Sequence, residues 1–253
     1  MPRTEWGWEV TPEELADWIL FEDERLLVVN KPGLVVCHPS KHGPRSSLIG
    51  ACREYVGLDR LHMPSRLDRE TSGVVVFAKD TAAGSLLQRA TQHRKIRKVY
   101  HAVLLGELKD AVLVEAPIGN DEGAAVRMKQ AVMAGGQLAQ TDFFPVHYAD
   151  GLTLARVEPH TGRLHQIRVH AASIGHSVAG DKIYGPDQHL FLEFLAHGWT
   201  SRHEEMLRFP RHMLHASEWE CVDERMPLRF AAPFPEPWQS VTCVADAHLA
   251  DSR

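Results

Sequence analysis

The residues best suited to chemistry lie in one short stretch, Pro64–Gly73, which runs directly into the apolar segment Val74–Ala78. Within it, Asp68 stands between Arg66 and Arg69 and is followed by a Thr-Ser-Gly turn. Strands bury apolar runs of this kind, so the polar residues just before one are held at a fixed place at the sheet edge. An ionised carboxylate among cations can serve as nucleophile, base or anchor, while the arginines hold an anionic ligand. A solvated turn whose charges pair with one another is the structural alternative.

A second candidate is the densest basic run of the chain, between positions 89 and 98. Its five cations, with no acid between them, are Arg89, Arg94, Lys95, Arg97 and Lys98. In a protein of net negative charge, such a run indicates a phosphate-tracking surface, although a solvated helix end gives the same pattern. Tyr100 follows closely, and an aromatic ring beside cations is how proteins stack an unpaired base. A strand tyrosine that fills the core is the alternative for Tyr100.

The histidines and cysteines do not form a metal site in sequence. The spacings of five and six residues among His160, His165, His170 and His176 do not stack on one helical face. The four cysteines are widely separated, without a Cys-x-x-Cys pair. No Gly-Lys-Ser/Thr signature suggests a nucleotide. The sequence therefore predicts no metal and no nucleotide cofactor.

Composition excludes several classes of protein. The chain has 253 residues, 44% hydrophobic and 24% charged, with a formal net charge of −5. These values are ordinary for a globular domain, and any nucleic-acid surface must be a local patch. The first residues lack an apolar signal core, and no run approaches membrane-spanning length. A cytoplasmic location without membrane attachment is expected.

Periodicity and turn residues predict the elements of the first part of the chain. A capping box at Thr11–Glu14 predicts a short helix through Ile19. Buried strands are expected at Leu26–Asn30 and Leu34–Cys37, and a helix over 46–56. Thr81 is the expected cap of a helix over 82–95.

The second part of the chain predicts more strands than helices. Expected strands are Val99–Leu105, 112–116, 126–132, 139–148, 152–158 and 212–221, with turns at Gly119-Asn120 and Gly135-Gly136. Helices are expected from Arg163 to about Ile174 and at roughly 188–197, on either side of the turn-rich segment 178–185. The combination predicts an α+β fold on a mixed, largely antiparallel sheet flanked by helices.

Six sequence blocks together resemble one protein family. Arg66–Gly73 closely resembles the R-L-D-R-x-T-S-G signature of the RluA-type pseudouridine synthases. The other blocks similar to that family are Asn30–Gly33 with His38-Pro39, Lys98–Tyr100, His160–His170, Gly180-Asp181 with Tyr184-Gly185, and Leu214–Ala216. They occur in family order over roughly 26–233, which coincidence of short motifs does not produce.

The resemblance implies a fold and an activity. It implies one pseudouridine synthase catalytic domain over 22–245, with an N-terminal extension over 1–21 and a tail over 246–253. Members isomerise a uridine of structured RNA, ribosomal or transfer, without metal or cofactor. We expect this chain to act on such RNA as a monomer. Because too little sequence precedes Glu22 for the small S4-type RNA-binding domain of some members, the catalytic domain itself is expected to grip the RNA.

The resemblance also implies roles for individual residues. Asp68 matches the catalytic aspartate, a nucleophile or base at the ribose, and Arg66 the residue that fills the space of the flipped base. Tyr100 matches the tyrosine that stacks on the uracil and takes the C5 proton, and Arg168 the cation that pairs with the aspartate. Leu214 matches an apolar residue beside the base. The expected RNA contacts are Arg69, Arg163 and His165, with Arg94, Lys95, Arg97 and Lys98.

Two departures and two rival functions accompany this assignment. Ser65 stands where many members have histidine, and His160 where lysine is frequent, so altered RNA contacts are expected. One rival is a non-catalytic RNA-binding or RNA-chaperone protein on the same fold, which would need a broken site. The other is an unrelated hydrolase that uses Asp68 with another carboxylate, although no second acid is marked by a comparable motif.

Overall fold

The computed structural model describes residues 9–38, 43–235 and 238, and combines helices with an extensive sheet. The helices are α1 (Pro12–Trp18), α2 (Leu48–Val56), α3 (Thr81–Gln92), α4 (Gln166–Ser173), α5 (His189–His197) and α6 (Ser201–Leu207). The strands are β1 (Ile19–Glu22), β2 (Leu26–Lys31), β3 (Ser72–Ala78), β4 (Ile96–Leu105), β5 (Val112–Glu115), β6 (Ile118–Asn120), β7 (Gln130–Val132), β8 (Gln140–Ala149), β9 (Leu152–Pro159), β10 (Leu214–Cys221) and β11 (Leu228–Ala231). The α+β prediction is confirmed.

The chain divides into two compact units. The first consists of Met1–Lys98 and His215–Pro235, and the second of Val99–Leu214 and Glu236–Arg253. The boundaries of the predicted catalytic domain, its extension and its tail stay predictions. Among the described residues, no helix is long and apolar enough to cross a membrane.

The first unit is built on a mixed part of the sheet. Strand β2 pairs antiparallel with both β1 and β3, and β10 pairs antiparallel with β11. Strands β3 and β10 are parallel, with Ser72 opposite His215 and Gly73 opposite Ala216. This parallel pairing determines the point at which the Asp68 segment enters the sheet.

Both faces of the sheet in the first unit are covered. Alternate residues of a strand point to opposite faces. Leu27, Val29, Val75 and Phe77 accordingly pack into one core cluster with residues of α1 and α2. Their neighbours Leu26, Val28, Val74 and Val76 pack into another with residues of α3, β10 and β11. Burial on both faces explains why β2 and β3 read as continuous apolar runs rather than as alternating ones.

The second unit is antiparallel throughout its described strand pairs. Strand β9 lies between β4 and β8, and β5 pairs with the other edge of β8. A short hairpin of β6 and β7 contributes Ile118 to a core cluster that also holds Val169 of α4 and Tyr184. Helix α4 is thereby held by packing although its own sequence is only weakly amphipathic.

Several predicted elements are confirmed. Helix α1 carries the predicted capping box, with reciprocal contacts between Thr11 and Glu14. The strand expected at Leu26–Asn30, the strand β4 and the helices α2, α4 and α5 all exist with shifted ends. The expected turn at Gly135-Gly136 is present as well.

Other expectations are wrong for local physical reasons. Leu34–Cys37 is not a strand, because Leu34 has a φ of 75° and the Val36 and Cys37 carbonyls accept bonds from the first amides of α2. The cap of α3 is Asp80, whose Oδ1 accepts from the Ala83 amide, so Thr81 is already helical, and α3 ends at Gln92 instead of position 95.

The later part of the chain also differs from expectation at its short elements. Gly119-Asn120 lies in β6 and is not a turn, and the strand expected over 126–132 begins only at Gln130. The sequence pattern does not predict helix α6 or strand β11, because both are short and both lie near prolines, which usually mark turns and loops. Pro39 and Cys243 lie outside the described residues, whereas Cys37, Cys52 and Cys221 are buried free thiols.

Candidate active site

The Asp68 segment is irregular backbone held between ordered elements. It runs from His62, which bridges to Ala78, to the start of β3, and Leu67 packs against the core cluster of the first unit. The Asp68 carbonyl accepts a backbone bond from the Thr71 amide at 3.2 Å, and Asp68 is half-buried. Arg66 and Arg69 on either side of it are exposed. The segment is therefore anchored at its apolar residue and its turn, while its charged residues reach the surface.

A buried lysine ties this segment to the predicted N-K-P-G block. The Lys31 ammonium donates to the carbonyls of Pro32 at 2.9 Å, Val35 at 2.8 Å and Arg69 at 3.1 Å. Arg69 in turn donates its Nε to the Leu34 carbonyl. Charged donors make the stronger class of hydrogen bond. The two blocks are thus held together through backbone carbonyls.

The entry into β3 is held by a second contact. Ser72 Oγ lies 2.9 Å from His215 Nδ1, and His215 Nε2 lies 3.3 Å from the Ala232 carbonyl. Both side chains are buried. If the ring Nε2 carries the proton donated to Ala232, Nδ1 accepts from Ser72. Burial on this scale makes the pair structural, not a serine nucleophile with its base.

Cys37 lies next to the same segment but is not an activated thiol. Burial raises the pKa of Cys37, and this effect outweighs the Lys31 charge and the hydrogen bond from the Leu67 backbone. A raised pKa keeps the sulfur protonated at neutral pH, and the thiolate is the reactive form. Cys37 therefore contributes packing beside the Asp68 segment.

The four predicted phosphate-contacting cations Arg94, Lys95, Arg97 and Lys98 lie at and just after the end of α3. Arg94 has a φ of 54°, which turns the chain from the helix into β4. Arg94, Lys95 and Arg97 are exposed, and Arg97 forms a 3.7 Å ion pair with Glu220. Lys98 differs, because its ammonium group is surrounded by protein even though part of the residue reaches the surface, and burial lowers the pKa of Lys98 to about 8.

In the second unit, Arg168 forms the most deeply buried ion pair of the described residues. Its Nε lies 2.6 Å from Asp181 Oδ2 and its Nη2 lies 2.9 Å from Asp181 Oδ1. The guanidinium carbon lies 5.0 Å from the centre of the Tyr184 ring. Burial alone would raise the pKa of Asp181, but the Arg168 charge and its hydrogen bonds hold the pKa well below its usual range. The pair is ionised.

Tyr184 links this pair to the predicted RNA-contact residue His165. The Tyr184 hydroxyl lies 2.8 Å from His165 Nδ1 and accepts from the Gln130 amide at 2.8 Å. His165 has a φ of 56° and precedes α4. Arg163, two residues earlier, is exposed and donates to the Leu138 carbonyl at 3.0 Å. One end of α4 thus carries Arg163 and His165, with Arg168 one turn along it.

Tyr100, Leu214 and His212 are also buried in the second unit. Tyr100 lies in β4 opposite Val157, and Leu214 is the first residue of β10. Burial lowers the pKa of His212 well below its ordinary value, and the nearby Arg168 charge lowers it further. His212 is therefore neutral at physiological pH.

The histidines of and just after the block His160–His170 have structural partners. His170 Nδ1 lies 2.9 Å from Thr141 Oγ1, and His176 Nδ1 lies 2.9 Å from the Leu105 carbonyl. His160, one of the two departures from the family pattern, lies 2.7 Å from Asp142. Across residues 9–38, 43–235 and 238, no group of three or more metal-ligating side chains is close enough to hold an ion.

Sequence reasoning gave no role to Lys31, His215 or Asp181. All three lie inside blocks that resemble the family, but the presence of a polar residue in a motif does not indicate that it is fully buried. His215 is one of 16 histidines in the chain, and its partner lies 143 residues away. Only the fold brings these contacts together.

A sequence model of the RNA pseudouridylate synthase family matches residues 25–173, a range that contains Asp68, Tyr100 and Arg168. The chain belongs to this family. It is 35% identical over 227 residues to the ribosomal large subunit pseudouridine synthase D of Nitrosomonas europaea, covering 86% of this chain and 62% of that protein. The protein of the same name from Pseudomonas aeruginosa is 31% identical, with 86% of this chain and 68% of that protein covered.

The chain spans only about three fifths of the length of several relatives that it matches. It spans 60% of the uncharacterised RNA pseudouridine synthase YhcT of Bacillus subtilis, which is 35% identical over 183 residues and 70% of this chain. Among solved structures, human RNA Pseudouridylate Synthase Domain Containing 1 has a TM-score of 0.70 at 24% identity, with 92% of this chain and 93% of that chain covered. That likeness establishes the common fold.

Proposed function

We propose that this protein is an RNA pseudouridine synthase that isomerises a uridine of structured RNA, with Asp68 as its catalytic carboxylate. The observation that carries the proposal is the family match over residues 25–173, which includes the Asp68, Tyr100 and Arg168 blocks intact. The anchored, half-buried setting of Asp68 supports it, since a catalytic group must be both held and reachable.

The reaction needs no oxidant, reductant or second substrate. The N1–C1′ bond of uridine breaks, the base turns, and a C5–C1′ bond forms. The C5 proton leaves and N1 gains one, so atoms and electrons balance. Asp68 either attacks C1′ or removes a ribose proton, and both roles require its ionised form. Tyr100 is proposed to stack on the uracil and to take the C5 proton.

Access to C1′ requires the nucleotide to leave its stack. We propose that Arg66, which reaches the solvent two residues before Asp68, fills the space of the flipped base, because a planar guanidinium stacks on neighbouring rings. Leu214 is proposed to pack beside the base, and Arg168 to pair with Asp68. Arg69, Arg163, His165 and the exposed basic residues Arg94, Lys95 and Arg97 are proposed to hold the RNA. Lys98 is not included, because its ammonium group is surrounded by protein.

The substrate is proposed to be ribosomal or transfer RNA. Ribosomal RNA is the first substrate to test, because two of the similar proteins are named ribosomal large subunit pseudouridine synthase D. Action as a cytoplasmic monomer is part of the same proposal.

Purified protein incubated with transcribed large-subunit ribosomal RNA and transfer RNA tests this function. Pseudouridine should appear at a defined position with wild-type protein and be absent with Asp68→Asn, which keeps the size of the side chain. RNA binding should be retained by the variant. Equal turnover by Asp68→Asn contradicts the catalytic role, and binding without turnover by the wild type favours the RNA-chaperone alternative.

A further inference from the structure

Arg168 is held in a fixed orientation by a carboxylate that has no contact with solvent. Asp181 is 0% exposed, and its two oxygens take both the Nε and the Nη2 of the guanidinium. This fork geometry sets the plane of the guanidinium as well as its position. The ring of Tyr184, 5.0 Å from the guanidinium carbon, lies along one side.

The backbone around Asp181 makes it the fixed partner of the pair. Oδ1 also accepts from the Ile183 amide at 2.9 Å and the Tyr184 amide at 3.0 Å. Gly180 has a φ of 79°, and a Cβ there would lie 2.1 Å from the Arg211 carbonyl, so the turn is packed directly against neighbouring backbone. Asp181 is thus held by its own turn, and the long Arg168 side chain is oriented onto it.

We propose that Asp181 is the positioning residue for Arg168, and that turnover depends on the orientation which its carboxylate imposes. The proposal rests on the proposed function, in which Arg168 pairs with the catalytic Asp68. With Nε and Nη2 directed at Asp181, the Nη1 edge of the guanidinium is the edge turned away from that carboxylate. The Nη1 edge can therefore donate to a second carboxylate, proposed to be that of Asp68, only along a fixed direction.

Asp181→Asn separates orientation from packing. The amide keeps the shape, and its single oxygen can still accept the two backbone bonds and the Nη2 bond at the Oδ1 position. The amide nitrogen then replaces Oδ2 and faces the Nε of Arg168, donor against donor. The substitution therefore removes the bond between Nε and Oδ2 together with the negative charge that pairs with Arg168, while it keeps the shape of the side chain.

The matched control is Thr153→Val in the same unit. Thr153 is 0% exposed, accepts from the Leu108 amide and donates to the Gly106 carbonyl, so its loss also leaves buried polar groups unpaired. These two backbone groups, and not Arg168, are the partners of its hydroxyl within the described part of the chain. Both variants are expected to lower the melting temperature.

Two readouts decide the proposal. Steady-state kinetics on the RNA substrate should show kcat reduced roughly 100-fold by Asp181→Asn, with KM changed less than about threefold. In ¹⁵N spectra, the Arg168 Nε–H resonance of the wild type should be downfield and protected from exchange, and Asp181→Asn should abolish this signal. Thr153→Val should keep the signal and a kcat within about threefold of wild type.

The outcomes distinguish this inference from the function on which it rests. If wild-type protein turns over RNA and Asp181→Asn keeps its kcat, the positioning role is wrong. The role is also wrong if Thr153→Val loses kcat as severely. If wild-type protein turns over no RNA, the proposed function fails. The spectra then decide alone: a retained Nε signal in Asp181→Asn overturns the orienting contact, and a lost one supports it.

Discussion

At the scale of single residues, the Asp68 segment depends on a lysine that has no contact with solvent. Lys31 is 0% exposed and satisfies its ammonium on three backbone carbonyls, one of them that of Arg69. A buried cation is tolerated only when its donors are satisfied in this way. Lys31 therefore contributes to both the stability of the first unit and the placement of the Asp68 segment.

Replacing Lys31 with Met should lower the free energy of unfolding by about 2–4 kcal/mol, because three buried carbonyls lose a charged donor. Urea unfolding measures this change. Lys129→Met is the control, since Lys129 is partly exposed, makes a 3.8 Å ion pair with Asp121 and donates to the Gln188 side chain, and its loss should cost less than about 1 kcal/mol. Equal effects of the two substitutions would contradict a special role for Lys31.

The burial of the Lys98 ammonium group predicts that the stability of the protein depends on pH. The pKa of Lys98 in the folded protein is about 8, below its ordinary 10.5. Between these values the unfolded chain holds a proton that the folded chain has lost, so the contribution of Lys98 to stability rises with pH. Lys98→Met should be more stable than wild type at pH 7, by roughly 1–3 kcal/mol, and lose that advantage above pH 10.5.

Denaturant unfolding from about pH 7 to about pH 11 checks the Lys98 prediction. Lys109→Met, at an exposed position, should stay within about 0.5 kcal/mol of wild type at every pH. A Lys98→Met advantage that does not shrink as pH rises would show that the gain comes from packing and not from removing a buried charge.

At the scale of elements, the parallel pairing of β3 with β10 determines where the Asp68 segment enters the sheet. Gly73 has a φ of 115°, and a Cβ there would lie 2.1 Å from the Ala216 carbonyl. Any side chain at Gly73 must therefore push β3 away from β10. The neighbouring Ser72–His215 contact would move with it.

Gly73→Ala should destabilise the protein by more than about 3 kcal/mol, through both backbone strain and the close contact. Gly57→Ala is the matched control, because Gly57 has a φ of 67° but open space around its missing Cβ, so that only the strain of about 1–2 kcal/mol remains. Guanidinium unfolding of both variants gives the difference. Similar losses would mean that the β3–β10 approach is not tight.

The sequence predicts well those elements whose capping residues and apolar pattern favour the same structure as their tertiary contacts. The capping box of α1 and the apolar runs of β2 and β3 are decided by neighbouring residues. Leu34–Cys37 reads as a strand for the same local reasons, yet its carbonyls are used by α2, a contact that periodicity does not contain. Tertiary partners override local preference in such segments.

The candidate site likewise contains residues that the sequence predicts and contacts that it does not. Motif resemblance pointed to Asp68, Tyr100 and Arg168 because residue identity and order carry that information. It did not supply the Arg168–Asp181 fork or the Lys31 contacts, because burial and hydrogen-bond direction arise only from the folded backbone. Positioning residues are therefore the part of the site that sequence leaves out.

At the scale of the whole molecule, the net charge is −5, so the proposed binding of RNA must depend on local basic surfaces. The run that ends α3 is not a purely cationic surface. Arg97 lies 3.7 Å from Glu220, and the charge of Lys95 lowers the pKa of Asp223, after the larger effect of Arg225. These acids reduce the net positive charge of the run.

Neutralising Arg94, Lys95 and Arg97 together to Gln should weaken RNA binding and reduce the slope of log K against log salt by roughly 2. Filter binding between about 50 and about 300 mM salt measures the slope. A control triple variant at Arg25, Arg45 and Arg202 removes the same charge from other exposed sites, which pair with Asp80, Glu54 and Glu193. Equal slopes for the two triple variants would mean that the run is only a solvated helix end.

The measurement that tests the central claim most directly is a pseudouridine map of total RNA from cells that lack this gene. The gene would be restored as wild type or as Asp68→Asn at equal protein abundance. The proposed function predicts that a defined uridine loses its modification in the deletion and regains it only with wild type. Restoration by Asp68→Asn would contradict the catalytic role of Asp68, and an unchanged map would contradict the synthase activity in those cells.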